Sequence, residues 1–320
     1  MMSGRSLDNY ASPLFLAWQL TNGCDAGCLA CCEESGVGHA WRDELTRDQA
    51  LEVTRQIIEA GIPYVAFGGG EPLSVAHCWE VFAMLAEAGI AIKLETNGSL
   101  IDEATAARIS ELGIDCVQIS VDGATAATHE RMRPGARFTD AIGAIDHLVA
   151  RGIAPQFVFV PTRLNIHDLV PAFDLAVARG CSAFVTGPLM RLGRAAANWD
   201  QLVCDNTTWQ TAVTALRQHA TAINTPIILS IYPWDIVTEL QTRLDSPQAM
   251  LLVVPNGKVK LLNVLPFAPA DLKHDGLAAA WHAYRQAWRT PTVRDFILRC
   301  QTQPNLLRHA NETWPLAFTA

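Results

Sequence analysis

Along the first 190 residues the hydrophobic and polar positions alternate between two regimes. Segments with apolar residues at helical spacing end at a glycine, and a β-branched or apolar run follows at once. The junctions are Gly61-Ile62, Gly89-Ile90, Gly113-Ile114, Gly152-Ile153 and Gly180-Cys181. Glycine accepts the left-handed backbone that closes a helix, and runs such as IPYVAF, IAIKLE, IDCVQIS and APQFVFV have the continuous apolar character of strands covered on both faces. Helix starts are legible too. Thr46 with Gln49 has capping-box spacing, after which Ala50, Val53 and Ile57 fall on one face; Cys78, Val81, Phe82 and Leu85 repeat the pattern. With LFLAWQLT at 14–21 in front, the pattern predicts six strands alternating with helices. Such alternation implies a parallel sheet with right-handed crossovers, either an open doubly wound sheet or part of a TIM-like barrel.

Past residue 200 the alternation fades. A helix is expected around 206–222, followed by IILSIYPWD, a hairpin in LLVVPNGKVKLLNVL turning at Asn256-Gly257, and short helices in AAAWHAYRQAW and VRDFILRC. The expected division is a tail at 1–13, an α/β body at 14–200 and a smaller α+β domain at 201–320.

Composition narrows the function classes. Half of the 320 residues are apolar, enough for a sizeable core. The 24 basic and 32 acidic residues give a net charge of -8, and no Lys/Arg run forms a phosphate-binding stripe, so nucleic acid is not an expected partner. No apolar run reaches the roughly 18 to 20 residues of a membrane span, and MMSGRSLDNY lacks a signal peptide's apolar core. No membrane association and a cytoplasmic location are expected. There thiols stay reduced, and the odd total of nine cysteines agrees with metal or redox chemistry rather than disulfides.

In parallel α/β folds function sits on loops at the C-terminal ends of strands. The chemically unusual stretches fall there: NGCDAGCLACCEESG after the first strand, GGGEP after the second, TNG after the third, SVDG after the fourth, PTRLN after the fifth and TGPLMRLGR after the sixth. Cys24, Cys28 and Cys31 share one loop with Gly23 and Gly27, whose flexibility lets a short backbone wrap one centre. A zinc site takes four ligands, usually from two separated pairs; a 4Fe-4S cluster takes one thiolate per iron, and three would leave one iron open. Cys32 could complete a tetrathiolate site, although adjacent Cys31 and Cys32 point apart in an extended chain. Cys78, Cys116, Cys181, Cys204 and Cys300 are isolated, as small buried hydrophobes usually are.

The C-x3-C-x2-C spacing after a first strand, with FGGGEP after the second and SVDG after the fourth, resembles the radical SAM superfamily over residues 14 to about 195. The resemblance implies a partial (β/α)6 TIM-like barrel in which Cys24, Cys28 and Cys31 hold one 4Fe-4S cluster. S-adenosylmethionine (SAM) would bind the fourth iron through its amino and carboxylate groups. One electron then cleaves SAM to methionine and a 5'-deoxyadenosyl radical, which abstracts hydrogen from substrate. By the same resemblance Gly69, Gly70 and Glu71 bind the methionine ammonium, Ser120 and Asp122 the ribose, and Arg191 or Arg194 the methionine carboxylate. Asn97, with Glu95, Thr162 and Asn165, is polar at a strand end and is expected to line the SAM or substrate pocket. The residue before the third cysteine, usually aromatic in this superfamily, is Ala30. Glu33 and Glu34 are substrate contacts or solvated loop charges.

VVPNGKVKLLNVL with GLAAAWHAYRQAW resembles the SPASM or twitch extension of radical SAM enzymes that modify peptides or build redox cofactors. Relatives carry auxiliary-cluster cysteines there. Here Leu261, Leu262 and Asn263 take their place with only Cys300 nearby, so a degenerate domain without auxiliary iron is expected. The thirteen residues before the first strand are short for a peptide-leader recognition module, which tilts the expected substrate toward a small molecule or cofactor precursor, with a peptide open. The expected partners are SAM, that substrate, and an electron donor such as flavodoxin or ferredoxin. The competing class is a non-catalytic zinc or iron-sulfur protein on a barrel scaffold. A Schiff-base barrel enzyme would want a lysine at a strand end, whereas Lys93 lies inside a strand. Tyr232, Trp234 and Asp235 form an aromatic and acidic group after a strand, and HANETW at 309–314 has no assignment.

Overall fold

The computed structural model describes residues 7–316 except residue 234. The first part of the chain runs β1 (Phe15–Thr21), α1 (Arg47–Glu59), β2 (Tyr64–Gly69), α2 (Cys78–Glu87), β3 (Ala91–Thr96), α3 (Glu103–Glu111), β4 (Cys116–Ser120), α4 (Ala126–Met132), α5 (Phe138–Ala150), β5 (Gln156–Phe159), α6 (Leu169–Ala178) and β6 (Ala183–Thr186). Gly61, Gly89, Gly113, Gly152 and Gly180 close their helices at φ of 66°, 71°, 68°, 79° and 75°, the left-handed region that favours glycine. Thr46 and Gln49 form the predicted reciprocal cap of α1. The fourth crossover holds one helix more than the pattern suggested: α4 is capped by Thr125, whose hydroxyl accepts from the Thr128 amide, and its seven residues are too few to set up a periodicity.

The remainder runs α7 (Gly193–Ala197), α8 (Trp199–Leu202), α9 (Asn206–Ile223), β7 (Ile228–Ile231), α10 (Ile236–Asp245), β8 (Met250–Val253), β9 (Lys258–Lys260), β10 (Phe267–Ala268), β11 (Ala270–Asp271), α11 (Leu277–Ala287), α12 (Pro291–Thr302) and β12 (Trp314–Pro315).

The chain divides into two compact units, one holding residues 7–23, 39–92 and 235–316, the other 24–38 and 93–233. In the first unit β1 pairs in parallel with β2 and with β8, Leu16 lying opposite Val65 on one side and Leu251 on the other. β9 continues antiparallel from β8 through the Asn256-Gly257 turn, where Gly257 has φ of 82°, and β11 is antiparallel to β9. The hairpin of the C-terminal third therefore extends the sheet that contains β1. Leu251 and Val253 are fully buried, which explains why MLLV is a continuous apolar run. Trp18, Phe67 and Phe82 form an aromatic row in this unit's core, with centroids 5.7 and 4.7 Å apart; complete burial of each such side chain contributes about 1.5–3 kcal/mol.

The C-terminal segment HANETW packs back onto the same unit. β12 pairs with β10, and the Trp314 ring stands at 79° and 88° to Phe267 and Phe296. His309 Nδ1 lies 2.6 Å from Glu312, and Trp314 Nε1 donates to the same carboxylate. Leu261, Leu265, Phe267 and Cys300 are all buried here, so the region where relatives were expected to carry cysteines is apolar core.

In the second unit the part of β3 from Lys93 onward, β4, β5, β6 and β7 form an all-parallel sheet. β7 is a seventh parallel strand that the sequence pattern did not number with the other six. As an edge strand it leaves Ile228 65 % exposed, so it lacks the two-sided burial that made the others legible. Phe157, Phe159, Phe173 and Phe184 pack around one another in this unit's core.

Candidate functional site

At the end of β1 in the first unit, Thr21 Oγ1 accepts from the Gly23 amide at 2.8 Å and donates to Glu44. The Glu44 carboxylate also accepts the Asn22 and Trp41 amides. Against this corner lies GGE at the end of β2. Gly69 has φ of 106°, and a Cβ on it would stand 2.6 Å from the Thr21 carbonyl oxygen. A Cβ on Gly70 would stand 1.9 Å from the Gly23 carbonyl oxygen. Only glycine fits either position. The backbones are joined by Gly70 N to Thr21 O at 2.7 Å and Glu71 N to Gly23 O at 2.9 Å. Glu71 is 1 % exposed, and its Oε1 accepts from the Leu73 amide, capping the turn that follows.

The cysteine loop belongs to the second unit and is held mainly through its backbone. Cys24 N donates to Gly36 O, and Cys31 N to Cys28 O. Gly27 N and Leu29 N donate to the carbonyls of Pro134 and Met132 beyond α4. From the other side come α7 and α8. The Arg194 amide donates to Cys31 O at 2.9 Å, its Nε donates to Cys28 O at 2.8 Å, and its Nη2 donates to Ser35 O. Asn198 Nδ2 donates to Leu29 O at 3.1 Å. Gly193, at φ of 48°, permits this approach, since a Cβ there would lie 2.4 Å from Cys32 O.

Each thiol has its own surroundings. Asn97 Nδ2 lies 3.8 Å from Cys24 Sγ and 2.6 Å from Asp25 Oδ1, and Ser99 Oγ donates to the other Asp25 oxygen. Arg133 Nη1 lies 3.5 Å from Cys28 Sγ, while its Nε donates to Asp122 Oδ2 at 2.7 Å. Burial pushes the Cys28 thiol up, and the Arg133 charge pulls against it. Burial works against the Arg133 charge, but Asp122 and Cys28 outweigh it and hold the guanidinium above its ordinary value. Burial also drives the Cys32 thiol well up, with Glu33, 3.6 Å from its sulfur, adding to the effect.

Three half-buried thiols on one short loop, one facing a guanidinium and one an amide N–H, suit a thiolate-ligated iron-sulfur cluster, because N–H donors and positive charge near ligating sulfurs stabilise the anionic centre. Among the described residues no three Cys, His, Asp or Glu side chains are gathered around one point as a single ion would hold them.

The other expected site residues sort by what already engages them. Asp122 is 2 % exposed; its Oδ2 takes Arg133 and its Oδ1 the Val160 amide at 2.8 Å. Its carbonyl accepts from Asn165 Nδ2, and its amide donates to His129 Nδ1. Thr162 and Asn165 are buried and bond each other, which makes them part of the support under this turn. Ser120 ends β4 opposite Val158, half-buried. Arg194 is occupied by loop carbonyls, and Arg191 lies over the Trp199 ring at 5.2 Å. Glu95 pairs with Lys93 at 2.6 Å. Residue 234 lies outside the described residues. Sequence reasoning missed Arg133, His129 and Asn198. The available signal for the first was a cation in HERMRPG, at the end of the helix that follows SVDG.

A parallel strand-and-helix sheet with a three-thiol loop directly after its first strand defines a class of iron-sulfur barrel proteins. The family model described as the Radical SAM superfamily matches residues 18–176, and through this domain the chain belongs to that superfamily. Among curated proteins it is 33 % identical over 194 residues to the mycofactocin maturase MftC of Mycobacterium ulcerans, covering 60 % of this chain and 51 % of the relative. It is 29 % identical over 185 residues to the AdoMet-dependent heme synthase of Methanosarcina barkeri, covering 57 % and 52 %. The match thus spans about half the length of either relative. Streptococcus suis SuiB bound to S-adenosylmethionine superposes with a TM-score of 0.69 at 13 % identity, over 85 % of this chain and 66 % of that one. The enzyme anSMEcpe with bound AdoMet and Kp18Cys peptide gives 0.66 at 16 %, over 86 % and 82 %. These likenesses bear out the fold expected from the sequence, a radical SAM type of TIM-like barrel. Among the described residues no helix is long and apolar enough to cross a membrane.

Proposed function

We propose that this chain is a radical SAM enzyme acting in cofactor biosynthesis or peptide modification, with Cys24, Cys28 and Cys31 holding one 4Fe-4S cluster. The carrying observation is the cysteine loop itself: the spacing sits directly after β1 in a radical SAM domain, and Arg133, Arg194 and Asn198 hold the loop in shape. When bound, such a cluster supplies the electron that cleaves SAM reductively and so generates the 5'-deoxyadenosyl radical that abstracts hydrogen from substrate. The chain's own residues bind and orient. Gly69 and Gly70 present backbone, and Glu71 a carboxylate, suited to an ammonium group. Ser120 offers a hydroxyl to a ribose, and Asp122 acts on the site through Arg133. Asn97 steadies Asp25 beside Cys24. With Arg194 engaged by carbonyls, Arg191 is the better placed of the two for a carboxylate.

The substrate is a small molecule or cofactor precursor, or else a peptide. Similarity to heme synthases supports the first, and similarity to a mycofactocin maturase, with the likeness to SuiB, solved also with the precursor peptide SuiA, supports the second. The apolar packing of Leu261, Leu265, Phe267 and Cys300 supports a single cluster, with no auxiliary iron in the C-terminal segment. Flavodoxin or ferredoxin serves as electron donor, and the cytoplasm, which keeps thiols reduced, is the location. Membership of the superfamily counts against the non-catalytic zinc or iron-sulfur protein.

Anaerobic reconstitution with iron and sulfide, followed by dithionite and SAM, tests this. About four irons per chain and release of 5'-deoxyadenosine are expected. Cys24→Ala, Cys28→Ala and Cys31→Ala should each abolish both, while Cys32→Ala should keep its iron. Zinc retention without SAM cleavage would overturn the proposal.

A further inference from the structure

Arg133 stands between a carboxylate and a cysteine sulfur. Its Nε is 2.7 Å from Asp122 Oδ2, and its Nη1 is 3.5 Å from the sulfur of Cys28. The side chain is only 12 % exposed, so water screens neither interaction well. Asp122 is fixed at four points: its amide to His129 Nδ1, its carbonyl by Asn165, Oδ1 by the Val160 amide and Oδ2 by Arg133. Because Val160 occupies Oδ1, Arg133 meets the carboxylate through Nε alone, and the fork of the guanidinium is turned so that Nη1 faces the thiol. A guanidinium carries five donors in a rigid plane, so fixing Nε fixes the direction of Nη1.

A positive charge near a cluster ligand favours the reduced, more negative state of the cluster, and a neighbouring carboxylate opposes it. We infer that Arg133 and Asp122 form a positioning pair that sets the reduction potential of the cluster through the Cys28 sulfur, Arg133 raising it and Asp122 restraining it. The inference rests on the cluster reading above. It makes SVDG and HERMR one device: the turn after the strand supplies the carboxylate, the residue that closes the following helix supplies the cation, and the cysteine loop receives the field.

The test is a redox titration of the reconstituted chain followed by its visible absorption and by the EPR signal of the reduced cluster. In Arg133→Gln the reduced-to-oxidised ratio at a fixed potential should fall about tenfold, a shift of about 59 mV for a one-electron couple. Arg133→Lys, which keeps the charge, should recover most of it. Asp122→Asn, which leaves the guanidinium unopposed, should move the potential in the other direction. Opposite signs are the decisive outcome, since a merely loosened loop would shift both variants alike. If Arg133→Gln takes up no iron, Asp122→Asn and Arg133→Lys carry the test, and an Asp122→Asn potential at or below wild type overturns the inference. A wild-type chain that takes up no cluster overturns the cluster reading and the inference with it. A wild-type cluster whose potential ignores both variants, with only SAM binding lost in Arg133→Gln, overturns the inference alone.

Discussion

Gly70 approaches Gly23 so closely that the carbonyl oxygen of Gly23 occupies the space a Cβ on Gly70 would need, 1.9 Å away. The obstacle is backbone, which cannot rotate aside as a side chain can. Gly70→Ala should therefore cost about 3 kcal/mol or more, at or beyond the upper end for overpacked sites. Gly61→Ala is the contrast: it has φ of 66° but nothing within 4 Å of its Cβ position, so only the left-handed penalty of about 1 kcal/mol applies. Urea unfolding of the two variants beside wild type checks the ranking, and equal losses would contradict it.

Arg194 touches the cysteine loop through three hydrogen bonds, all to main-chain oxygens. Two of them belong to the side chain. Arg194→Ala removes those two and withdraws the guanidinium that ties the carbonyls of Cys28 and Ser35 together, so cluster retention should weaken by about 10- to 100-fold, as for other losses of support behind metal ligands. Iron release to a chelator under anaerobic conditions measures it. Arg191→Ala, which loses only the stack on Trp199, should retain iron like wild type.

His129 is buried, takes the Asp122 amide on Nδ1 and has no hydrogen-bond partner at Nε2, so it sits as the neutral ring with its proton on Nε2. Burial first, then the nearby Arg133 charge, lower its pKa to about 4, while Asp122 and Glu130 pull weakly the other way. A folded pKa below the unfolded value means the unfolded chain binds the extra proton between roughly pH 6.5 and pH 4, so stability is present above that window and is lost as pH falls through it. The loss attributable to this group should reach about 2 kcal/mol between roughly pH 7 and pH 5, at 1.36 kcal/mol per pKa unit. The difference between wild type and His129→Gln in urea unfolding at the two pH values isolates it from the carboxylates. A difference that stays constant with pH would refute the assignment.

Phe267 joins Trp314 and Phe296 at centroid distances of 5.8 and 5.3 Å, and it carries the two-residue strand that receives the end of the described chain. Phe267→Ala should destabilise the protein by about 3–5 kcal/mol, the range for deleting a buried aromatic ring. Thermal unfolding followed by Trp fluorescence would show it. A loss below about 1 kcal/mol, the size of a surface change, would mean that HANETW is not anchored by this ring.

The six strands and their closing glycines were legible because each is a local event: a helix stops where φ turns positive, and a buried parallel strand must be apolar throughout. The three cysteines were legible for the same reason, since their spacing lies within one loop. What escaped was set by distance along the chain or by an edge. Arg194 reaches Cys28 across 166 positions and Arg133 across 105, and neither differs in sequence from any other basic residue. MLLV and ILSI were recognised as strand material, but which sheet they join depends on partners at Leu16 and Phe184 that no local pattern records. HANETW had no reading because Trp314 finds its meaning only against Phe267 and Phe296.

The grip on the cysteine loop falls on the carbonyls of Cys28, Leu29, Cys31 and Ser35. A carbonyl oxygen is the same whichever side chain its residue bears. Arg194 and Asn198 are therefore blind to the side chain of Leu29, which is half-buried, and their grip on the loop survives a change there. Variation at that position can change the surface the loop presents while leaving its backbone in place.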